Sequence, residues 1–339
     1  MSAAAELAPP RERTSSIGPI TLVVPVRNET GSLPVLLEAI SAQTRRPDAI
    51  ILVDAGSDDG TVQLACRLTG SDARVTIITA GAATPGRARN VGIAAAATDW
   101  IALTDAGIRP ATTWLEELEA AALAAPNCDV AYGTYEPVAD SLFAQCAALG
   151  YVAPRRVTPA GALRGPFIAS SLIRKRAWGR VGGFPDLRAG EDTVFMQRLA
   201  GSGASIAWAP RAIVHWSTQP NLARTFGRFR RYACVGALAG RQDNWHYGVL
   251  RIYLGAAGIL GVARLADRRL AALVPVAAAA RVLRAILLRR EGRPLGWALA
   301  PERVAGVAVI LATTDLALFV GWGDGVLRAA GIRRGTDLG

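Results

Sequence analysis

The sequence predicts an α/β fold, a sheet flanked by helices, followed by C-terminal hydrophobic helices. Three observations predict it. Short β-branched runs alternate with segments of helical period from Ile20 to Thr104. Polar clusters follow the ends of those runs. From about residue 246 the chain changes to long apolar stretches punctuated by arginine.

Residues 1–18 are rich in Ala, Pro, Ser and charge and read as a disordered tail. Ile20–Val26 is the first strand. Ser32–Gln43 is a helix, with Leu33, Leu36, Leu37 and Ile40 at helical spacing. Ala49–Val53 is a strand, Thr61–Leu68 a helix, Arg74–Thr79 a strand, Arg87–Ala97 an Ala-rich helix and Trp100–Thr104 a strand. Short loops between such elements argue for a parallel sheet with helices on its faces. The pattern then loosens. Expected strands are Val130–Tyr135, Phe167–Ile173, Ser205–Ala209 and Ile213–Trp216. Expected helices are Ser141–Leu149, Lys175–Val181 and Asp192–Ala200. The sequence divides into the tail, an α/β domain over 19–245 and a hydrophobic, basic region over 246–339.

The chain has 339 residues, is 51% hydrophobic and carries a formal net charge of +11. That balance calls for an anionic partner. The basic residues concentrate beside apolar segments rather than among exposed aromatics, which argues against nucleic acid. Residues 246–339 hold 13 Arg and 6 acids. Within them Val304–Gly323 is long enough to span a bilayer, with Asp315 its one charge. Leu270–Leu288 contains Arg281 and Arg284 and fits an interfacial or bundled helix. Val249–Leu265 is shorter. The loops Arg264–Arg269 and Arg289–Arg293 are both basic. If both preceding segments crossed, these loops would face opposite sides, against the positive-inside tendency. Cys66, Cys128, Cys146 and Cys234 are scattered, which disfavours a disulfide framework or a zinc site. Met1–Pro10 has no apolar core, so the expected placement is an inner (cytoplasmic) membrane with the catalytic domain in the cytoplasm.

In such sheets ligands bind beyond the carboxyl ends of the strands. The residues found there are Arg27-Asn28-Glu29 after Pro25 and Val26, then Asp54 through Ser57, Asp58 and Asp59, then Asp105-Ala106-Gly107. Glu29 can accept bonds from a base or ribose. Gly86-Arg87-Ala88-Arg89-Asn90 opens a helix whose N–H groups and guanidinium forks suit a diphosphate. A carboxylate at Asp105 suits a divalent cation. Glu191 and Asp192 open another helix, where the dipole keeps carboxylates ionised.

Taken together, Val24–Glu29, Val53–Thr61, Gly86–Ala97, Thr104–Pro110 and Gly190–Phe195 resemble glycosyltransferase family 2. The resemblance covers roughly residues 19 to 235. It implies a GT-A fold, a Rossmann-like mixed sheet that binds a nucleotide-sugar donor. It implies that Pro25, Arg27, Glu29, Asp54, Ser57, Asp59, Gly86, Arg87, Arg89, Asn90 and Asp105 surround the donor. It implies that Asp192 is the general base of an inverting transfer, with Glu191 beside it. The family's Asp-x-Asp metal motif reads Asp105-Ala106-Gly107 here, so the second acid is a glycine. His215 is a candidate second ligand with Asp105 for Mg2+ or Mn2+. The processive members' Gln-x-x-Arg-Trp motif is absent, and Gly227–Tyr232 stands in its region. The apolar C-terminus suggests a lipid-linked or glycan acceptor. The rival readings are a nucleotidyltransferase, whose Gly-rich signature residues 20–31 lack, and a non-catalytic nucleotide-sugar-binding scaffold.

Overall fold

The computed structural model describes residues 16–332 apart from 71, 188, 239 and 241–245. Most of the expected tail and the expected boundary at residue 245 lie outside the described residues. Ser16 and Ile17 are tied down, both donating to Glu119 Oε1.

The elements are β1 (Ile20–Val26), α1 (Leu33–Ser41), β2 (Ala49–Asp54), α2 (Thr61–Thr69), β3 (Val75–Thr79), α3 (Pro85–Ala95), β4 (Trp100–Leu103), β5 (Ile108–Pro110), α4 (Trp114–Ala124), β6 (Val130–Val138), α5 (Leu142–Tyr151), β7 (Arg156–Thr158), β8 (Gly161–Leu163), β9 (Ser171–Arg174), α6 (Lys175–Arg180), α7 (Glu191–Gly201) and β10 (Ile206–Ser217). Five further helices follow: α8 (Leu222–Leu238), α9 (His246–Leu265), α10 (Leu273–Arg289), α11 (Leu295–Ala298) and α12 (Pro301–Ala329).

Eight strands form one sheet in the order β3-β2-β1-β4-β9-β6-β10-β5. The first four run parallel, as the short loops and intervening helices require. β9 is antiparallel to both β4 and β6, and β5 is antiparallel to β10, so the sheet is mixed. Two antiparallel steps restore direction, and β6 and β10 therefore end at the same edge as β1, β2 and β4. The segments 205–209 and 213–216 form one strand, β10, whose register with β6 shifts between Trp208 and Ile213. Pro210 within it cannot donate to a ladder, which suits an irregularity there.

β1 is buried at every position except Pro25, because helices cover both of its faces. One core packs Leu22, Val24, Leu33, Leu36 and Trp114 on the first face. The other packs Val23, Val53, Ile93, Phe184 and Phe195 on the second. Gly92 lets α3 close on the sheet, since a Cβ there would lie 2.9 Å from Val53 Cγ2.

Three helices, Tyr247–Leu265, Arg268–Arg289 and Pro301–Ala329, are long and apolar enough to cross a membrane. They are not a separate body. α12 packs along α5 and α8, and Ala285, Ile286, Val307 and Ile310 share a core with Cys146, Ala147 and Leu149 of α5.

Candidate active site

β1, β2 and β4 are neighbours, so their carboxyl ends deliver Glu29, Asp54 and Asp105 to one edge. The loops after β1 and β2 are stitched together. Asn28 N–H donates to Ser57 Oγ at 3.0 Å, Asp58 N–H to Asn28 Oδ1 at 3.0 Å and Glu29 N–H to Thr61 Oγ1 at 2.8 Å. Asn28 takes a positive φ of 58°, a conformation asparagine tolerates. Asp54 is buried and accepts from the N–H groups of Gly56 and Ser57. Asp59 is exposed and holds the turn, accepting from Thr61 and Thr30. Gly56 adopts φ +84°, and a Cβ on it would press to 3.2 Å from Ala82.

The centre of the arrangement is Arg89. It is 4% exposed, and its guanidinium donates to Asp105 Oδ1 at 2.6 Å and to Glu191 Oε1 at 2.8 Å. One cation thereby ties the end of β4 to the start of α7, residues far apart in sequence. Around it the N-terminus of α3 is closed over. Thr84 caps the helix by accepting from Arg87 N–H, and its hydroxyl donates to Asp186 at 2.6 Å. Gly86 is buried against the 184–191 segment, and a Cβ there would lie 2.6 Å from Pro185 O and 3.1 Å from Glu191 Cγ. Asn90 makes three side-chain bonds. Its Oδ1 accepts from Trp178 Nε1 and Phe184 N–H, and its Nδ2 donates to Phe184 O.

The burial sets the electrostatics. Desolvation raises the Glu191 carboxyl above its ordinary value and the Asp192 charge adds to that, while Arg89 pulls it down. Arg89 is buried, yet Asp105 and Glu191 hold it firmly charged. Glu29 is also raised, chiefly by desolvation and secondarily by Asp105 and Asp59, against the opposing bond from Ser32. The Asp105 charge thus reaches the Glu29 carboxyl. Asp192 is partly exposed at the first turn of α7, and among the described residues no ion pair engages it.

His215 lies elsewhere along the edge. It pairs in register with Arg109 of β5 and Glu136 of β6, and burial together with Arg109 lowers its pKa. No described contact joins it to the Arg89 cluster. Among the described residues no group of three or more His, Cys, Asp or Glu is gathered to hold an ion. Asp105, partly exposed at the end of β4, has hard carboxylate oxygens of the kind that suit Mg2+ or Mn2+.

Residues 21–152 match glycosyl transferase family 2, and residues 130–320 match glycosyl transferase family group 2, which takes in more than half of the chain. The chain belongs to glycosyl transferase family group 2. The pre-mycofactocin glycosyltransferase of Mycobacterium tuberculosis (strain H37Rv) is 30% identical over 210 residues, 58% of this chain and 42% of that protein. The chain thus spans less than half the length of that relative. The mannosyltransferase PcManGT from Pyrobaculum calidifontis, solved with GDP-Man and Mn2+, aligns with a TM-score of 0.51 at 20% identity, over 88% of this chain and 86% of that one. TarS 1–349 from S. aureus aligns with a TM-score of 0.47 at 15% identity, over 88% and 92% of the two chains. The fold is GT-A.

Within this family member, the expected donor-binding residues divide by exposure. Arg27 and Arg87 are exposed, and Pro25, Glu29, Ser57 and Asp105 are partly exposed at the same edge. Gly86 and Arg89 are buried and Asn90 is partly buried. Arg89 donates to Glu191 and Asp105, Asn90 bonds to Phe184 and Trp178, and Gly86 packs against Pro185, so α3 is joined to β4 and to the chain after Trp178. The sequence reading missed Thr84, Phe184 and Asp186, which join α3 to the 184–191 segment. No local spacing connects residues a hundred positions apart.

Proposed function

We propose that the chain is an inverting glycosyltransferase that moves a sugar from a nucleotide-diphosphate sugar to a hydroxyl or phosphate of a lipid-linked or glycan acceptor. The single observation that carries this reading is the convergence of Asp105 and Glu191, joined through Arg89, on the edge that also carries Glu29. Glu29 and Asp54 hold the nucleoside by accepting from base and ribose. Arg27 and Arg87, the exposed cations of this edge, face the diphosphate. Asp192 removes the acceptor's proton as its oxygen attacks the anomeric carbon. The new carbon–oxygen bond forms on one face while the bond to the diphosphate breaks on the other, and the nucleoside diphosphate leaves with the electron pair. Glu191 cannot serve as that base while its oxygen is locked to Arg89. Its place is to fix the start of α7, and so Asp192.

Asp105 is the carboxylate that would hold a divalent cation, with the diphosphate supplying further oxygens. Such an ion supplies charge neutralisation for the leaving diphosphate. PcManGT carries Mn2+ beside its GDP-Man, which supports testing this chain with the same ion. The setting we propose is an inner membrane with the catalytic edge in the cytoplasm, supported by the apolar C-terminal helices and the arginines among them.

The test has two parts. A thermal-shift screen across UDP-, GDP- and TDP-sugars, with and without Mn2+, identifies the donor. With that donor, Asp192→Asn should keep nucleotide binding and lose transfer by about 10²–10⁴-fold. Wild-type transfer by that variant would remove Asp192 from the mechanism. No stabilisation by any nucleotide sugar would remove the reading itself.

A further inference from the structure

Length and composition make α9, α10 and α12 candidate spans, but the packing of α12 gives them a different placement. Its buried residues include Val307, Ile310, Thr314, Leu318, Gly321 and Gly325, a stripe at three- and four-residue spacing. Over 18 residues that stripe runs about 27 Å, close to the thickness of a bilayer's hydrocarbon core. Protein covers all of it. At one end a Cβ on Gly306 would lie 3.2 Å from Cys146 Cβ of α5. At the other, Gly325 approaches Cys234 O of α8 so closely that a Cβ would lie 2.7 Å away.

α8 cannot sit in hydrocarbon. Arg224, Arg230 and Arg231 are exposed on it, and an arginine at bilayer depth is strongly disfavoured. Arg230 also pairs with Asp324, so α8 and α12 share their level through an ion pair as well as through glycine contacts. α12 therefore lies against the catalytic body along the length a crossing would need. α9 and α10 are fastened to it. Arg281 of α10 donates to Asp315 of α12 at 2.8 Å, and Tyr253 of α9 donates to the same carboxylate at 3.1 Å. Ala285 and Ile286 continue the α10 contact toward Val307 and Ile310, so α10 runs antiparallel beside α12.

What this leaves outward is apolar. Leu254, Val262, Val276, Leu287, Leu316 and Val320 are exposed on the three helices. Arginines accompany them: Arg251, Arg264, Arg268, Arg269 and Arg284 are exposed. An apolar face accompanied by arginine complements the interface of an anionic leaflet.

We propose that α9, α10 and α12 seat the enzyme on one leaflet of an anionic bilayer without crossing it. This rests on the membrane reading above and deepens it. It also removes the conflict between the two basic loops, Arg264–Arg269 and Arg289–Arg293, because both then face the catalytic side.

The experiment uses the full chain with Cys66→Ser, the exposed native thiol. Arg268→Cys and Arg293→Cys are introduced singly. Inverted inner-membrane vesicles, with the cytoplasmic face outward, are treated with a membrane-impermeant maleimide before and after detergent. Both cysteines should label to the same extent before detergent, with a before-to-after ratio near one. Labelling of Arg293→Cys with protection of Arg268→Cys until detergent is added would show a crossing and overturn the proposal. Flotation of the purified chain is the control on the reading beneath it. Binding to phosphatidylglycerol vesicles in preference to phosphatidylcholine supports it. A chain that stays with the soluble fraction, alone or as a dimer closed over the apolar face, overturns both.

Discussion

Arg89→Met tests whether the site is held together by one buried cation. Arg89 donates to Asp105 at 2.6 Å and Glu191 at 2.8 Å, and the side chains of the two acids are 37% and 9% exposed. Water reaches Asp105, so its pairing weighs less. Glu191 has no such relief, and its carboxyl is already raised by burial. Removing the shared cation leaves an uncompensated buried carboxylate, which costs about 3–5 kcal/mol. That is a large part of a domain's stability of about 5–15 kcal/mol. The midpoint of denaturant unfolding, followed by tryptophan fluorescence on the detergent-solubilised full chain, should fall accordingly. Made in a Glu191→Gln background, the same substitution should cost less by roughly 0.5–3 kcal/mol, because a neutral amide no longer needs the cation. An unchanged midpoint, or an equal loss in both backgrounds, would refute the reasoning.

Glu29→Gln should weaken donor binding yet leave the fold as stable or more stable at neutral pH. The folded carboxyl is raised above 4.5 by burial, so its favourable contribution is complete below 4.5 and is lost as pH rises through the folded value. The stability gap between variant and wild type should therefore narrow on acidification, as thermal melts across pH would read. Chelation with EDTA should depress transfer and nucleotide affinity together, with Mn2+ restoring both. Isothermal titration of the nucleoside diphosphate with and without the ion checks this, and equal affinity in both would exclude the Asp105 site. Gly325→Val should cost about 1–3 kcal/mol by overpacking, because its Cβ would meet Ala237 Cβ at 2.6 Å and Cys234 O at 2.7 Å. Increased protease cleavage between α8 and α12 would report the loosened contact.

Much of the fold is legible locally. β1 starts and ends as its β-branched run does, and β2, β3 and β4 shift by one residue at an end or two. For β1, β2 and β4 the cause is burial on both faces, so apolar continuity marks them, whereas β3 is a partly exposed edge strand marked by its β-branched run. β5 and the β7–β8 hairpin have only three residues per strand, too few to show any period. α4 has Glu116, Glu117 and Glu119 between its apolar positions, and one of them, Glu119, is buried against Arg45 and Ser16. Only the packed structure identifies those partners. β9 begins at Ser171 rather than at the expected Phe167, whose ring lies tilted against Tyr135 at 4.7 Å between centroids.

The sequence by itself determined which acids stand at strand ends, since strand period and turn chemistry are local. It also determined that the C-terminal region is apolar and basic. Tertiary structure decided which of those residues touch. It placed Arg89 between Asp105 and Glu191, turned Gly86 and Asn90 inward and left His215 with Arg109 and Glu136. It also laid α12 along α5 and α8. Hydropathy counts carbon and cannot see that two glycines and an Asp324–Arg230 pair hold that helix to the protein. The physical reason is one of range: hydrophobic period is written within a turn or two, whereas a buried charge must be matched by whatever the rest of the chain brings to it.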